Sequence, residues 1–353
     1  MDHVTKLHNL IESVLTAGGS DLHLSPLRVP AMRVDGSLVQ IVNQEALTQN
    51  EVLEMIKEMV ADGEKLEKLM TEQEVDFAYD FKDGVRLRGN AYFEKGDIGI
   101  ALRLIPKVKT LDDLKLPKSL EGFARKKQGF FLIVGPVGQG KSTTMAAMID
   151  LINRERAEHI ITIEEPIEYL FESKKSIIDQ REVGLDTKSF ESALKSAFRQ
   201  DANVLMIGEM RSPETISAAV TAAETGHFVI STLHTNNASQ TIDRIIDSFP
   251  GHQQDQIRSQ LSNSLIGIFS QRLIPRVSGG LVPAYELMVN NKATANLIRE
   301  GRTFEIDMVI ETGSENGMID MNHSLVELVR KGEITVEDAR FHSFNEKAFD
   351  NLL

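Results

Sequence analysis

The chain has 353 residues, 41% hydrophobic and 26% charged, which is enough for two or three domains with ordinary cores. A formal net charge of -13 argues against a nucleic-acid track and against a broadly basic membrane-binding surface. There is no run of 18 apolar residues and no signal-peptide pattern at the start, so a cytoplasmic location is expected, and the absence of cysteine excludes disulfides and thiolate zinc sites. In chain order, residues 1–107 read as a smaller α+β domain. Val4, Leu7, Leu10, Ile11 and Val14 make one apolar stripe of a helix over 4–16, stopped at Gly18 and Gly19. Short alternating strands are expected at 21–24 and 31–34, with a hairpin turn at Asp35-Gly36 and a return strand over 38–42. A helix over 50–60 turns Val52, Leu53, Ile56, Met59 and Val60 inward, and strands follow near 74–81, 85–93 and 99–104. Pro106 to Pro117 has proline at both ends and lysines between, and its 108–117 stretch reads as a linker.

From residue 118 the pattern becomes α/β. Residues 130–134, Phe-Phe-Leu-Ile-Val, form the kind of continuous apolar run that is buried on both faces of a parallel sheet. Gly135, Pro136, Val137, Gly138, Gln139, Gly140, Lys141 and Ser142 follow at once and match G-x-x-x-x-G-K-[ST], the phosphate-binding loop. A helix then starts at Thr143, with Met145, Met148, Ile149 and Ile152 on one face. Strand, glycine loop and helix are the context that the motif needs. Glycines let backbone N–H groups turn toward phosphate oxygens, and the helix N-terminus adds partial positive charge. Lys141 would reach the β- and γ-phosphates of ATP, and the Ser142 hydroxyl would ligate Mg²⁺. Further strands are expected at 159–164, 204–207, 228–233 and 281–289. Helices are expected at 189–199, 213–225, 238–248 and 252–272, with a helical tail from 292 to about 340. That alternation gives an α/β fold with a parallel, doubly wound sheet.

Three segments just beyond strand ends carry candidate chemistry, because a sheet of this type binds ligands there. Glu164 and Glu165 close the 159–164 strand, and carboxylates can orient water or hold Mg²⁺. Glu209 follows the strand 204–207 and is assigned to water activation and magnesium contacts. His234, in Ser-Thr-Leu-His-Thr-Asn-Asn over 231–237, is placed to report on the γ-phosphate. Charge developing on a transferred phosphoryl group calls for a cation, often from a neighbour. Arg86, Arg88 and Arg103 of the first domain and Arg181 and Arg199 of the second are the candidates. Each taken alone has a bland reading: a solvated acid, a satisfied structural histidine, a surface arginine. A zinc site at His227 and His234 is weak without cysteines or an H-E-x-x-H pattern.

Together, SDLHLS at 20–25, RVDG at 33–36, RGNAYF at 88–93, GPVGQGKSTT at 135–144, IITIEEPIEY at 160–169, QREVG at 180–184, IGEMRSPETI at 207–216 and STLHTNNASQTIDRIID at 231–247 run in one family's order. They resemble the secretion-type ATPases, and among these the type IV pilus retraction (twitching motility) motors. The resemblance implies a RecA-like P-loop ATPase core over 118–353 behind a PAS-like N-terminal domain. It makes 135–142, with Thr143, the Walker A loop, puts Glu164 and Glu165 in an acidic box, makes Glu209 the catalytic glutamate of an atypical Walker B, and His234 the His box. Arg88 and Arg103 would reach bound nucleotide as a ring closes, and Arg181 would be a further phosphate-side arginine. It also implies ATP and Mg²⁺ as ligands and a homohexamer that is cytoplasmic and peripheral at the inner face of the membrane. Its partners would be a membrane-embedded pilus platform protein and a paralogous motor, with no nucleic acid.

The alternative is a pilus extension or type II secretion assembly ATPase. Those relatives carry a longer N-terminus and a four-cysteine zinc insert, and the lack of both favours retraction. Two departures stand against it: Thr294 and Ala295 replace an apolar residue and an arginine of the retraction motors, and 270–274 reads more like the extension relatives. A RecA-like helicase is disfavoured by the acidic chain and the missing aromatic-and-basic stripe. Intact Lys141, Glu209 and His234 argue against a non-catalytic accessory subunit.

Overall fold

The computed structural model describes residues 3–34, 36–60 and 62–353, so the expected turn residue Asp35 lies outside the described residues. Contacts divide the chain into Met1–Lys107 and Val108–Leu353. The first unit runs α1 (His3–Thr16), β1 (Asp21–Leu24), β2 (Ala31–Val34), β3 (Ser37–Gln40), α2 (Gln49–Met59), α3 (Gly63–Glu72), β4 (Glu74–Asp80), β5 (Arg86–Glu94) and β6 (Asp97–Leu104). Its six strands form an antiparallel sheet in the order β3-β2-β1-β6-β5-β4. Leu7, Leu10, Ile11 and Val14 of α1 and Val52, Met55 and Ile56 of α2 bury their stripes in one core with Leu22, Leu87 and Leu102 of the sheet. Helix α3 escapes the sequence reading because only its Leu69 is buried, which leaves no stripe; the Asp62 side chain caps it by accepting from the Glu64 N–H. The register places Arg33, Asp21, Arg103 and Arg88 in one row across β2, β1, β6 and β5, hence on one face.

The second unit runs α4 (Ser119–Ala124), β7 (Gly129–Val134), α5 (Lys141–Glu155), β8 (His159–Glu164), β9 (Ile177–Glu182), α6 (Phe190–Ala197), β10 (Val204–Ile207), α7 (Pro213–Glu224), β11 (Phe228–Leu233), α8 (Ala238–Asp247), α9 (Gly251–Ser264), β12 (Leu265–Pro275), β13 (Leu281–Val289), α10 (Lys292–Glu300), α11 (Ile306–Glu311), α12 (Met321–Arg330), α13 (Val336–His342) and α14 (Glu346–Leu352). The seven-stranded sheet has the order β13-β12-β7-β11-β10-β8-β9, parallel from β12 to β9, with β13 antiparallel at one edge. Central β7 is buried on both faces: Phe130, Leu132 and Val134 pack toward α6 to α9, and Phe131 and Ile133 toward α4 and α5. This is a RecA-like P-loop fold. Leu111 and Leu116 are also buried in the core that holds α4 and α5. Among the described residues no helix is long and apolar enough to cross a membrane.

One expectation is overturned. The helix expected over 252–272 ends at Ser264, and β12 begins at Leu265. Ile257, Leu261 and Leu265 are all buried and spaced by four, which carries the helical pattern over the boundary. Beyond it, Gly267 lies so close to its neighbours that a Cβ there would sit 2.8 Å from the Phe123 ring and 2.9 Å from the Met288 carbonyl oxygen. Edge strand β9 has only Ile177 and Ile178 apolar before Asp179, Gln180, Arg181 and Glu182, too short a signal to show a strand, and it is absent from the sequence reading. The departure at Thr294 gains a local reason. Its hydroxyl accepts from the Asn291 N–H at 2.8 Å while the Asn291 side chain caps α10, closing a capping box.

Candidate functional site

The site lies at the carboxyl ends of β7, β8, β10 and β11. Gly135 leaves β7 with φ 147°, and a Cβ there would lie 2.5 Å from the Gln271 carbonyl oxygen. At Gly140 (φ 75°) a Cβ would lie 3.0 Å from Gln271 Nε2. These glycines let the loop lie flat on β12. Side chains then lace it down: Gln271 Nε2 donates to the Gln139 carbonyl at 2.7 Å, the Leu273 N–H to Gln139 Oε1 at 2.6 Å, and Thr144 Oγ1 to Gln271 Oε1 at 2.7 Å. Pro136, Val137 and Gly138 form the loop's outer turn, with Val137 exposed. Thr143 Oγ1 is 2.7 Å from the Tyr169 hydroxyl.

Lys141 heads α5 and is buried. Its ammonium donates to the Gly135 and Pro136 carbonyls, both at 2.8 Å, and lies 3.2 Å from His234 Nδ1. An ammonium has three protons and no lone pair, so Nδ1 accepts and the ring proton sits on Nε2. That nitrogen is 3.5 Å from Glu209 Oε1. Glu209 Oε2 accepts from Arg211 Nη2 at 2.9 Å, and Arg211 Nη1 is 3.4 Å from Glu165 Oε2. The result is one polar chain: Lys141, His234, Glu209, Arg211, Glu165. Burial pushes the Lys141 ammonium down to about 8 against the pull of the Glu209 and Glu168 charges. Burial raises Glu209, but its bond to Arg211 and the charges of Arg211 and Lys141 outweigh that and hold it below the usual carboxylate range. Glu164 behaves oppositely. It is buried at the end of β8, and burial pushes it up to about 7 although Thr162 Oγ1 and Gln180 Nε2 donate to it at 2.6 and 3.2 Å.

The structure brings Lys141, Ser142, Glu164, Glu209 and His234 to one sheet edge. Arg181, on β9, donates through Nη2 to the Asp186 carbonyl at 3.2 Å, and its Nη1 is buried without a hydrogen-bond partner among the described residues. Arg199 caps its own helix by donating to the Lys195 carbonyl at 3.0 Å. Arg88 and Arg103 belong to the first unit. Arg103 Nε donates to Asp21 Oδ1 at 2.8 Å, while Arg88 is exposed and has no ion pair or hydrogen bond through its side chain among the described residues. Four contributors were missing from the sequence reading: Thr144, Tyr169, Arg211 and Gln271. Arg211 had a usable signal, two residues after Glu209 and therefore positioned to share its side of the chain. Gln271 had none, because its segment reads as helix.

These residues fit a triphosphate and its metal. The space around Gly138 is open, the buried ammonium lies against the loop carbonyls, and the oxygen donors of Ser142 and Glu209 suit a hard cation such as Mg²⁺.

The family described as Type II/IV secretion system protein matches residues 3–344. The chain is 42% identical over 326 residues to the type IV pilus retractation ATPase PilT of Pseudomonas aeruginosa, covering 92% of this chain and 94% of that one. It is 42% identical over 322 residues to a twitching motility protein of Neisseria gonorrhoeae, covering 90% and 85%. The crystal structure of the pilus retraction motor PilT with bound ADP is similar across 98% of both chains, with a TM-score of 0.91 and 41% identity.

Proposed function

The chain belongs to the type II/IV secretion ATPase family, and from that premise we propose that it is the ATP-driven motor of type IV pilus retraction. The observation that carries this reading is the polar chain from Lys141 through His234 to Glu209, which joins the phosphate loop to the base at one strand edge. Phosphate oxygens entering the loop take over the Lys141 protons now held by two loop carbonyls and His234. His234 is then free to turn its donor toward the γ-phosphate position, so occupancy of the loop is felt at the next strand end. Glu209, kept ionised by Arg211, orients and deprotonates the attacking water. Ser142 and Glu209 would hold Mg²⁺, which would supply charge neutralisation on the phosphates. Glu164 keeps its position through Thr162 and Gln180 and shapes the polar floor beneath.

Arg88, Arg103 and Arg181 are assigned to phosphate charge. Arg88 has no side-chain partner among the described residues, so it reaches a nucleotide without giving one up, whereas Arg103 must first leave Asp21. Within a homohexamer, Arg88 would serve a neighbouring subunit's nucleotide, and domain motion driven by turnover would act on a membrane-embedded platform protein from the cytoplasmic side, with or without a paralogous motor. Deleting the gene and counting surface pili tests this. Retraction predicts excess pili and lost twitching, and bald cells would instead assign the chain to pilus extension.

A further inference from the structure

A cleft of about 530 Å³ opens beside Glu209 and His234, walled by the turns after β10 and β11 and by one face of α8. It shares Glu209, Arg211 and His234 with the polar chain, and two arginines line it. Arg211 is the one already bonded to Glu209 at 2.9 Å and near Glu165 at 3.4 Å. Arg244 projects from α8, is exposed, and has no ion pair or hydrogen bond through its side chain among the described residues. Against these two cations the lining offers one carboxylate, Glu209, so the cleft is net positive in a chain of net charge -13. Another cleft of this unit has the opposite sign, with Asp307, Glu311 and Asp320 facing Arg272.

Hydrolysis turns ATP and water into ADP, inorganic phosphate and a proton, and the phosphate is formed beside Glu209 and His234. ADP still occupies the loop, so this dianion needs a way out that does not pass through the loop. We propose that the cleft receives the departing orthophosphate, with Arg244 as its ligand and Arg211 as the second cation. This rests on the ATPase reading and adds a product site to it. Arg211 can turn to the phosphate cheaply, since its contact with Glu165 is long and both residues are exposed. An unpaired arginine is well suited here: its planar fork matches a phosphate edge, and nothing has to be broken first. The volume accommodates the ion with several waters, each needing roughly 30 Å³.

The test is product inhibition of the full-length chain. Steady-state ATPase rates are measured against added inorganic phosphate for the parent, Arg244→Ala and Arg244→Lys, with sedimentation to record assembly. Loss of one charge-assisted bond should raise the half-inhibiting phosphate concentration of Arg244→Ala roughly tenfold. Arg244→Lys should recover part of it, and KM for ATP should move far less. Half-inhibition at the parental concentration in Arg244→Ala overturns the proposal, as does an effect that tracks loss of assembly instead of added phosphate. Parental turnover in phosphate-free buffer is the reference that keeps failure of the ATPase reading separate: an active parent with unaltered phosphate inhibition in the variant refutes the product site alone.

Discussion

Gln271→Leu probes whether β12 buttresses the phosphate loop. Gln271 is 2% exposed, accepts from Thr144 Oγ1 and donates to the Gln139 carbonyl, both at 2.7 Å. Leucine keeps the bulk but strands the threonine hydroxyl and the glutamine carbonyl. A stranded buried group costs about 1–3 kcal/mol, so the loss of stability for the two should be about 2–6 kcal/mol. Thr144→Val strands only Gln271 Oε1 and should cost about 1–3 kcal/mol. In the double variant the apolar groups face each other and only the Gln139 carbonyl stays stranded, so its cost should fall about 2–6 kcal/mol short of the sum of the two single variants. Urea denaturation of the full chain measures all three, and KM for ATP should rise in each as the loop loosens. Two single effects that add within about 0.5 kcal/mol, or a Gln271→Leu variant of parental stability, would refute the buttress.

Three further outcomes follow from other parts of the molecule. Burial lowers Lys141 to about 8, so the free protein loses that charge above this pH and must take up a proton to bind phosphate. KM for ATP should therefore climb above pH 8, approaching roughly tenfold per unit, and a flat profile to pH 9.5 would contradict the buried ammonium. Glu286, pushed up to about 8 by burial despite its bond from the Ala238 N–H, holds a proton in the fold that the unfolded chain has lost. Parental stability should fall as pH rises from about 4.5 to about 8, and Glu286→Gln, which keeps the acceptor, should flatten that slope in pH-dependent melting. Arg88→Ala should lose turnover, and mixing it with Lys141→Ala subunits should restore part; absence of any rescue would remove Arg88 from the neighbour's site.

Much of the second unit is legible because its signals are local. Residues 130–134 and 204–207 are uninterrupted apolar runs followed by glycine, and 228–233 is apolar but for Ser231 and Thr232 and is followed by His234; burial on both faces favours such composition. The segments that escaped lack that signal. Leu265 continues the i+4 spacing of α9, so β12 hides behind a helical pattern, and with it went Gln271, which fastens the loop. Strand β9 and helix α3 bury too little to show a period. The partnership of Arg211 with Glu209 was open to a spacing argument, two residues apart on one extended segment, but apolar patterning does not reveal it. In the first unit, Arg88 and Arg103 look equivalent in sequence, but cross-strand register gives Asp21 to Arg103 and leaves Arg88 without a side-chain partner among the described residues.

The account turns on Glu209 as the group that activates water in a loop anchored at Gly135 and Lys141. Its most direct test is Glu209→Gln in the purified chain, with ATP binding by equilibrium titration and phosphate release measured on the same preparation. The account predicts ATP affinity within a few fold of the parent and release slowed roughly 10²–10⁴-fold. Phosphate release at the parental rate would contradict it.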